Sequence, residues 1–219
     1  MSDKKPSIRN SLRIACAFIA CLWVIKLGEV LFNRDLFLLG VFPRTNDGLI
    51  GILTGPLIHG SWQHLMGNSL PLLLLGSAVI YGYPRSRWWS LALIWLLSGL
   101  GVWLMARQNL HFGASGLTHG MFFFLLTGGL IRRDRQSIAL LMIAFFMYSG
   151  MLFTIFPGEP GISFEYHLFG ALAGVASALL FRNSDRKPAK KKYAWQLQTD
   201  EEDPVIGDQW RLDSVEKTD

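Results

Sequence analysis

Two cysteines among 219 residues cannot build a disulfide framework. Charge is scarce as well: Asp, Glu, Lys and Arg make up 17% of the chain, against roughly a quarter in an ordinary soluble domain. Acidic residues are the scarcer sign, 16 against 21 basic. No internal repeat is evident. These shortages exclude a secreted disulfide scaffold, a collagen-like chain and a chain disordered throughout. What fills the space is apolar: 51% hydrophobic residues, with 15 Phe, 8 Trp and 22 Gly.

The apolar residues are distributed in runs. Trp88 to Met105, Phe112 to Ile131 and Ser137 to Phe156 contain no Asp, Glu, Lys or Arg. Each is close to the length of about 20 residues with which a helix crosses a bilayer core. Pro56 to Ile80, Ile162 to Phe181 and Leu12 to Phe32 are less clean, carrying His59, His64 and Asn68, Glu165 and His167, and Lys26 and Glu29 respectively. We read six transmembrane helices in an all-α, polytopic membrane protein. The N-terminal stretch runs past signal length without a small-x-small cleavage site, so it is read as a span. Cys16 and Cys21 within it are read as small packing residues.

Fifteen basic residues flank the helix ends on one side (Lys4 to Arg13, Arg85 and Arg87, Arg132 to Arg135, Arg182 to Lys192) and three on the other (Arg34, Arg44, Arg107). The positive-inside rule then puts both termini in the cytoplasm, with the bilayer as the partner of the basic face. Residues 1–11 form a cytoplasmic segment, 12–181 the membrane domain and 182–219 a solvated tail. Nucleic acid is not expected at Lys190 to Lys192, because acidic Asp200 to Asp203 follow and no recognition motif is present. The outer loop from Asn33 to Gly55 is too apolar for a solvated loop and is read as short amphipathic pieces at the interface.

Polar groups inside a bilayer are costly and are therefore functional candidates. In this topology His64 and Asn68, Ser115, and His167 come from three different helices to a similar depth below the outer face. That set suits acyl transfer. A serine needs an adjacent base, which neutral histidine can supply near pH 7, and the oxyanion needs fixed donors. His64 and Asn68 share a helical face at i, i+4. Gly113 and Gly116 flank Ser115 within a turn, and Gly116/Gly120 and Gly170/Gly174 give the small-xxx-small spacing that brings membrane helices close. A metal site from the five histidines matches no ligand spacing, and neither metal nor cofactor is expected.

Three stretches in this order, Leu57-Ile58-His59-Gly60-Ser61-Trp62-Gln63-His64-Leu65-Met66-Gly67-Asn68, Gly113-Ala114-Ser115-Gly116 and His167-Leu168-Phe169-Gly170-Ala171-Leu172-Ala173-Gly174, resemble the motifs of the rhomboid intramembrane serine proteases. The likeness spans about residues 12–181. It implies a rhomboid-like bundle in a bacterial cytoplasmic membrane and single-span membrane proteins as substrates, cut near the outer face. It also implies Ser115 as nucleophile, His167 as base, and His64, Asn68 and the Ser115 amide as the oxyanion hole. The 156–161 loop corresponds to a cap over the site. The other member of the fold class that such a chain could be is a catalytically silent binder of transmembrane clients. Oligomeric state is not specified. Three positions depart from the family pattern: Pro43-Arg44 replaces a Trp-Arg pair, Ile80 stands where a glutamate is common, and His119 replaces the aromatic that stacks on the base.

Overall fold

The computed structural model describes residues 7–158, 161 and 163–185. Seven α-helices make up most of it: α1 (Ile8–Leu31), α2 (Gly51–Thr54), α3 (Trp62–Gly82), α4 (Arg87–Met105), α5 (Ser115–Arg132), α6 (Arg135–Tyr148) and α7 (Phe164–Leu180). No strand occurs among the described residues. One isolated antiparallel bridge joins Val41 to His111. The expected tail lies outside the described residues from 186 onward.

Among the described residues, four helical segments are long and apolar enough to cross a bilayer: Ile8–Leu31, Trp62–Gly82, Arg87–Met105 and Arg135–Leu152. The chain is therefore a helical membrane protein. Helices α5 and α7 are not among the four, although both were expected as spans. Helix α7 is apolar but only 17 residues long, and α5 carries the polar Thr118, His119, Thr127 and Arg132 along its length. Twelve of the 18 residues of α5 and nine of the 17 of α7 are buried by protein, against four of 24 in α1. A helix that meets protein rather than lipid can carry Ser, Thr, His and Gly in place of long apolar side chains.

Helix α1 is the longest among the described residues. Its Ser7 side chain accepts the Asn10 amide as an N-cap, so the helix starts within the expected N-terminal segment. It buries one stripe, Ser11, Ala15, Leu22 and Lys26. Lys26 pairs with Glu29 at 3.1 Å, as their i, i+3 spacing allows. Cys16 and Cys21 are free and exposed, off that stripe. They are not the small packing residues expected, because helical periodicity turns both away from the buried stripe.

The loop from residue 33 to 55 folds into short pieces: single 3-10 turns at Phe37–Leu39, Asp47–Leu49 and Gly55–Leu57, with α2 between the last two. Arg44 and Trp103 fasten this loop to the end of α4. The Arg44 guanidinium donates to the Ala106 carbonyl at 2.9 Å, and Trp103 Nε1 donates to the Thr45 carbonyl at 2.9 Å. A tryptophan and an arginine thus do join loop to bundle, but the tryptophan comes from α4. Helix α6 ends at Tyr148, where Ser149-Gly150 opens a 3-10 turn over Ser149–Leu152. The expected span ran unbroken to Phe156.

The core centres on α5. Phe122, Phe124 and Leu125 are fully or almost fully buried beside Leu65, Leu75 and Val79 of α3 and Ile94 of α4. At the other end of the bundle from Ser115, Arg132 donates to the Gly82 carbonyl at 2.9 Å and lies over the Tyr83 ring. The buried Asp185 accepts the Arg85 amide at 2.9 Å and the Ser86 hydroxyl, so order persists past the end of α7.

Candidate active site

A cavity of about 790 Å³ opens among α3, α5, α7 and the turn after α6, lined by Ser61, His64, Asn68, Ser115, His119 and His167, among others. All the site residues expected from the sequence touch it or stand next to residues that do.

Ser115 is the first residue of α5, and Ala114 before it offers no side-chain cap. The first-turn amides of α5 therefore lack intrahelical acceptors and carry the positive end of the helix dipole. Two contacts shape the turn ahead of Ser115. The Gly113 amide donates to the Gly55 carbonyl at 2.9 Å, and the Ala114 amide points to His59 Nε2 at 3.4 Å. Gly113 has φ +110°, and a Cβ there would stand 2.7 Å from His64 Nε2. Only glycine lets the His64 ring come this close to the backbone of the serine turn. Asn68 is buried and donates one amide hydrogen to the His64 carbonyl at 3.1 Å.

Glycines also set how α7 meets α5. A Cβ on Gly170 would collide with the Gly116 carbonyl, and one on Gly174 with the Gly120 carbonyl. The two backbones are in direct contact at successive turns. Lipid tails are as apolar as leucine, so this seam is held by close van der Waals packing and not by the hydrophobic effect. It brings the turn bearing His167 level with the turn bearing Ser115.

His119, one turn after Ser115, connects the two. Its Nδ1 donates to the Ser115 carbonyl at 2.7 Å. Its ring lies parallel to that of His167, 3.9 Å away at 8°. The residue standing where the family has a stacking aromatic therefore stacks. Thr154 holds both rings from the opposite side. Its hydroxyl bonds His119 Nε2 at 2.8 Å, and its carbonyl accepts from His167 Nδ1 at 3.0 Å. A carbonyl can only accept, so Nδ1 of His167 carries the proton and Nε2 is left with the lone pair, the tautomer a general base requires. Thr154 was not singled out from the sequence. It sits in what reads as the end of an apolar span, and nothing in its neighbours marks it.

A second polar group stands at the rim. His111 Nε2 meets the Arg107 carbonyl at 3.0 Å, and His111 Nδ1 meets the Ser163 hydroxyl at 2.6 Å. Burial lowers the imidazole below its ordinary range, against the opposing pull of the Arg107 carbonyl and of Glu165. The expected cap, 156–161, is described only in part, since Glu159 and Pro160 lie outside the described residues. Among the described residues no group of three or more His, Cys, Asp or Glu could hold a metal ion.

The helices define an integral membrane protein with a cavity that gathers Ser61, Asn68, Ser115, Thr154 and His167 within a largely apolar lining. The Rhomboid domain matches residues 46–184, and the chain belongs to the rhomboid family. It is 38% identical over 186 residues to an uncharacterized protein of Mycobacterium tuberculosis (strain ATCC 25618 / H37Rv), covering 81% of this chain and 78% of that one. An uncharacterized protein of Mycobacterium leprae (strain TN) is 34% identical over 187 residues, 81% of this chain and 74% of its own. A protein named as a rhomboid protein in Acanthamoeba polyphaga mimivirus is 27% identical over 151 residues, 64% of this chain and 80% of its own.

Proposed function

We propose that this protein is an intramembrane serine endopeptidase that cuts single-span membrane proteins near the outer face of the bilayer. The observation that carries the reading is the Thr154–His167 hydrogen bond, which leaves His167 Nε2 free to accept a proton in a cavity that Ser115 also lines. In this reading His167 Nε2 takes the Ser115 proton as Oγ attacks the scissile carbonyl. The oxyanion is held by the Ser115 amide, the His64 ring and the second amide hydrogen of Asn68. The imidazolium then protonates the leaving amine, and water entering the cavity repeats the sequence to release the acyl group. The six-span topology with both termini in the cytoplasm accompanies this reading, and the mycobacterial relatives support a bacterial cytoplasmic membrane.

The test is cleavage of a panel of fluorescent single-span substrates by the protein reconstituted in liposomes, with labelling by a fluorophosphonate. Ser115→Ala and His167→Ala should each lower turnover by at least about 10³-fold, and Ser115→Ala should lose the label. Asn68→Ala should lower turnover by roughly 10²-fold, as one oxyanion donor among several. A wild-type protein that folds, leaves every substrate intact and takes no label would instead be the silent client binder.

A further inference from the structure

Four residues ahead of Ser115 stands His111, and four residues ahead of His167 stands Ser163. The side chains of these two residues touch, with Nδ1 and Oγ 2.6 Å apart. Ser163 is also the N-cap of α7, its hydroxyl oxygen accepting the Tyr166 amide at 3.2 Å. His111 is fixed in its turn by backbone bonds to Val41 in both directions, 2.8 and 2.9 Å. Its other ring nitrogen donates to the Arg107 carbonyl, so Nδ1 is the acceptor and the Ser163 hydroxyl donates to it. Arg107 adds two contacts to the same helix end: an ion pair from its Nε to Glu165 at 2.9 Å, and its guanidinium over the Phe164 ring. Glu165 is buried.

We infer that His111 and Ser163 are positioning residues: their hydrogen bond clamps the first turn of the base helix to the turn that leads into the nucleophile, and so sets the Ser115–His167 distance. This inference rests on the Ser115–His167 reading. The glycine seam fixes how closely α5 and α7 approach, but two smooth backbones can still slide or rotate. A directional bond one turn upstream of both reacting groups removes that freedom. Arg107 and Glu165 sit further out and reinforce the clamp. Displacing a reacting group by about 1 Å can cost as much as about 10²-fold in rate, so a bond that only locates the two groups has a large lever on turnover and little on substrate affinity.

The experiment is a double-mutant cycle in the reconstituted full chain. His111→Ala and Ser163→Ala should each lower kcat about 10- to 100-fold with KM changed less than about twofold. The double variant should be no slower than the slower single one, because both remove the same bond. Ser163→Thr keeps the hydroxyl and should stay within about threefold of wild type. Singles that leave kcat unchanged, or effects that multiply in the double variant, overturn the clamp. A second readout does not depend on peptidase chemistry. Amide hydrogen exchange at Tyr166 and His167 should quicken about 10-fold or more in His111→Ala, although the cap at Ser163 is untouched. If Ser115→Ala turns over like wild type, the dyad fails, and unchanged exchange in His111→Ala would separately sink the clamp.

Discussion

Helices α5 and α6 are joined by a two-residue turn, yet they are held in opposite ways. Helix α5 is wrapped by protein, its Gly116 and Gly120 pressed against the backbone of α7. Helix α6 buries only Ser137, Leu141 and Ala144 and shows Ile143, Phe146 and Met147 to the outside. The site draws on both. Ser115 and His119 come from the tightly held helix and His167 from its seam partner, while Thr154 comes from the turns that follow the loosely held one. The lesson is a division of labour: the glycine seam fixes how closely the helices bearing Ser115 and His167 approach, and the end of α6 fixes how the histidine rings are turned.

The strongest way to break this comparison is to pry the seam open. Gly170→Leu places side-chain atoms where the Gly116 backbone stands, and backbone cannot yield as a flexible side chain would. We expect a destabilisation at the upper end of the roughly 1–3 kcal/mol range for overpacking, with activity lost even in the fraction that remains folded. Thermal unfolding in detergent and cleavage in liposomes measure the two effects separately. A variant with wild-type turnover would show that α5 and α7 need not touch at the level of the site.

The seam, and the meeting of His64, Asn68, Ser115 and His167 at one cavity, were legible in the sequence from spacing and depth. Gly116/Gly120 and Gly170/Gly174 repeat at four residues, and His64 and Asn68 fall on one face by the same rule. The apolar pieces of the 33–55 loop were legible from composition alone. What the sequence hid has one physical cause: it follows from contacts between distant segments. The hydroxyl and carbonyl of Thr154 acquire meaning only when the chain after α6 folds back over His119 and His167, 35 and 13 residues away. His111 reads as a lone histidine ahead of a span until Ser163 arrives against it. Counting spans from hydropathy is harder for α5, because hydropathy counts lipid contact and protein buries most of this helix.

A gentler change sharpens the comparison from the α6 side. Thr154→Val keeps the shape and the carbonyl that orients His167 but removes the hydroxyl bonded to His119. A neutral hydrogen bond is worth about 1 kcal/mol, so kcat should fall about fivefold, with KM unchanged. If turnover does not move, the His119 ring is held by stacking and by the Ser115 carbonyl alone. The end of α6 would then contribute nothing through this hydroxyl.

The smallest effect is expected at the joint itself. Asp134 caps α6, accepting the Gln136 and Ser137 amides at 3.1 and 3.0 Å, and pairs with Arg132 of α5 at 2.9 Å. Burial raises its carboxyl pKa, but the Ser137 amide and the Arg132 guanidinium outweigh that and hold it below the usual carboxylate range. A carboxylate whose folded pKa is depressed stabilises the protein above its unfolded pKa, and that contribution disappears as pH falls through the folded value. Asp134→Asn keeps an N-cap and loses the charge, so it should cost about 0.5–1 kcal/mol near neutral pH. The gap to wild type should close in acid, where the wild-type carboxyl is also protonated. Thermal unfolding of both proteins in detergent at neutral and strongly acidic pH measures this. A gap that stays constant with pH would mean that Asp134 secures α6 as a hydrogen-bonding cap alone, and that the ion pair adds nothing to the hold of the buried helix on its exposed neighbour.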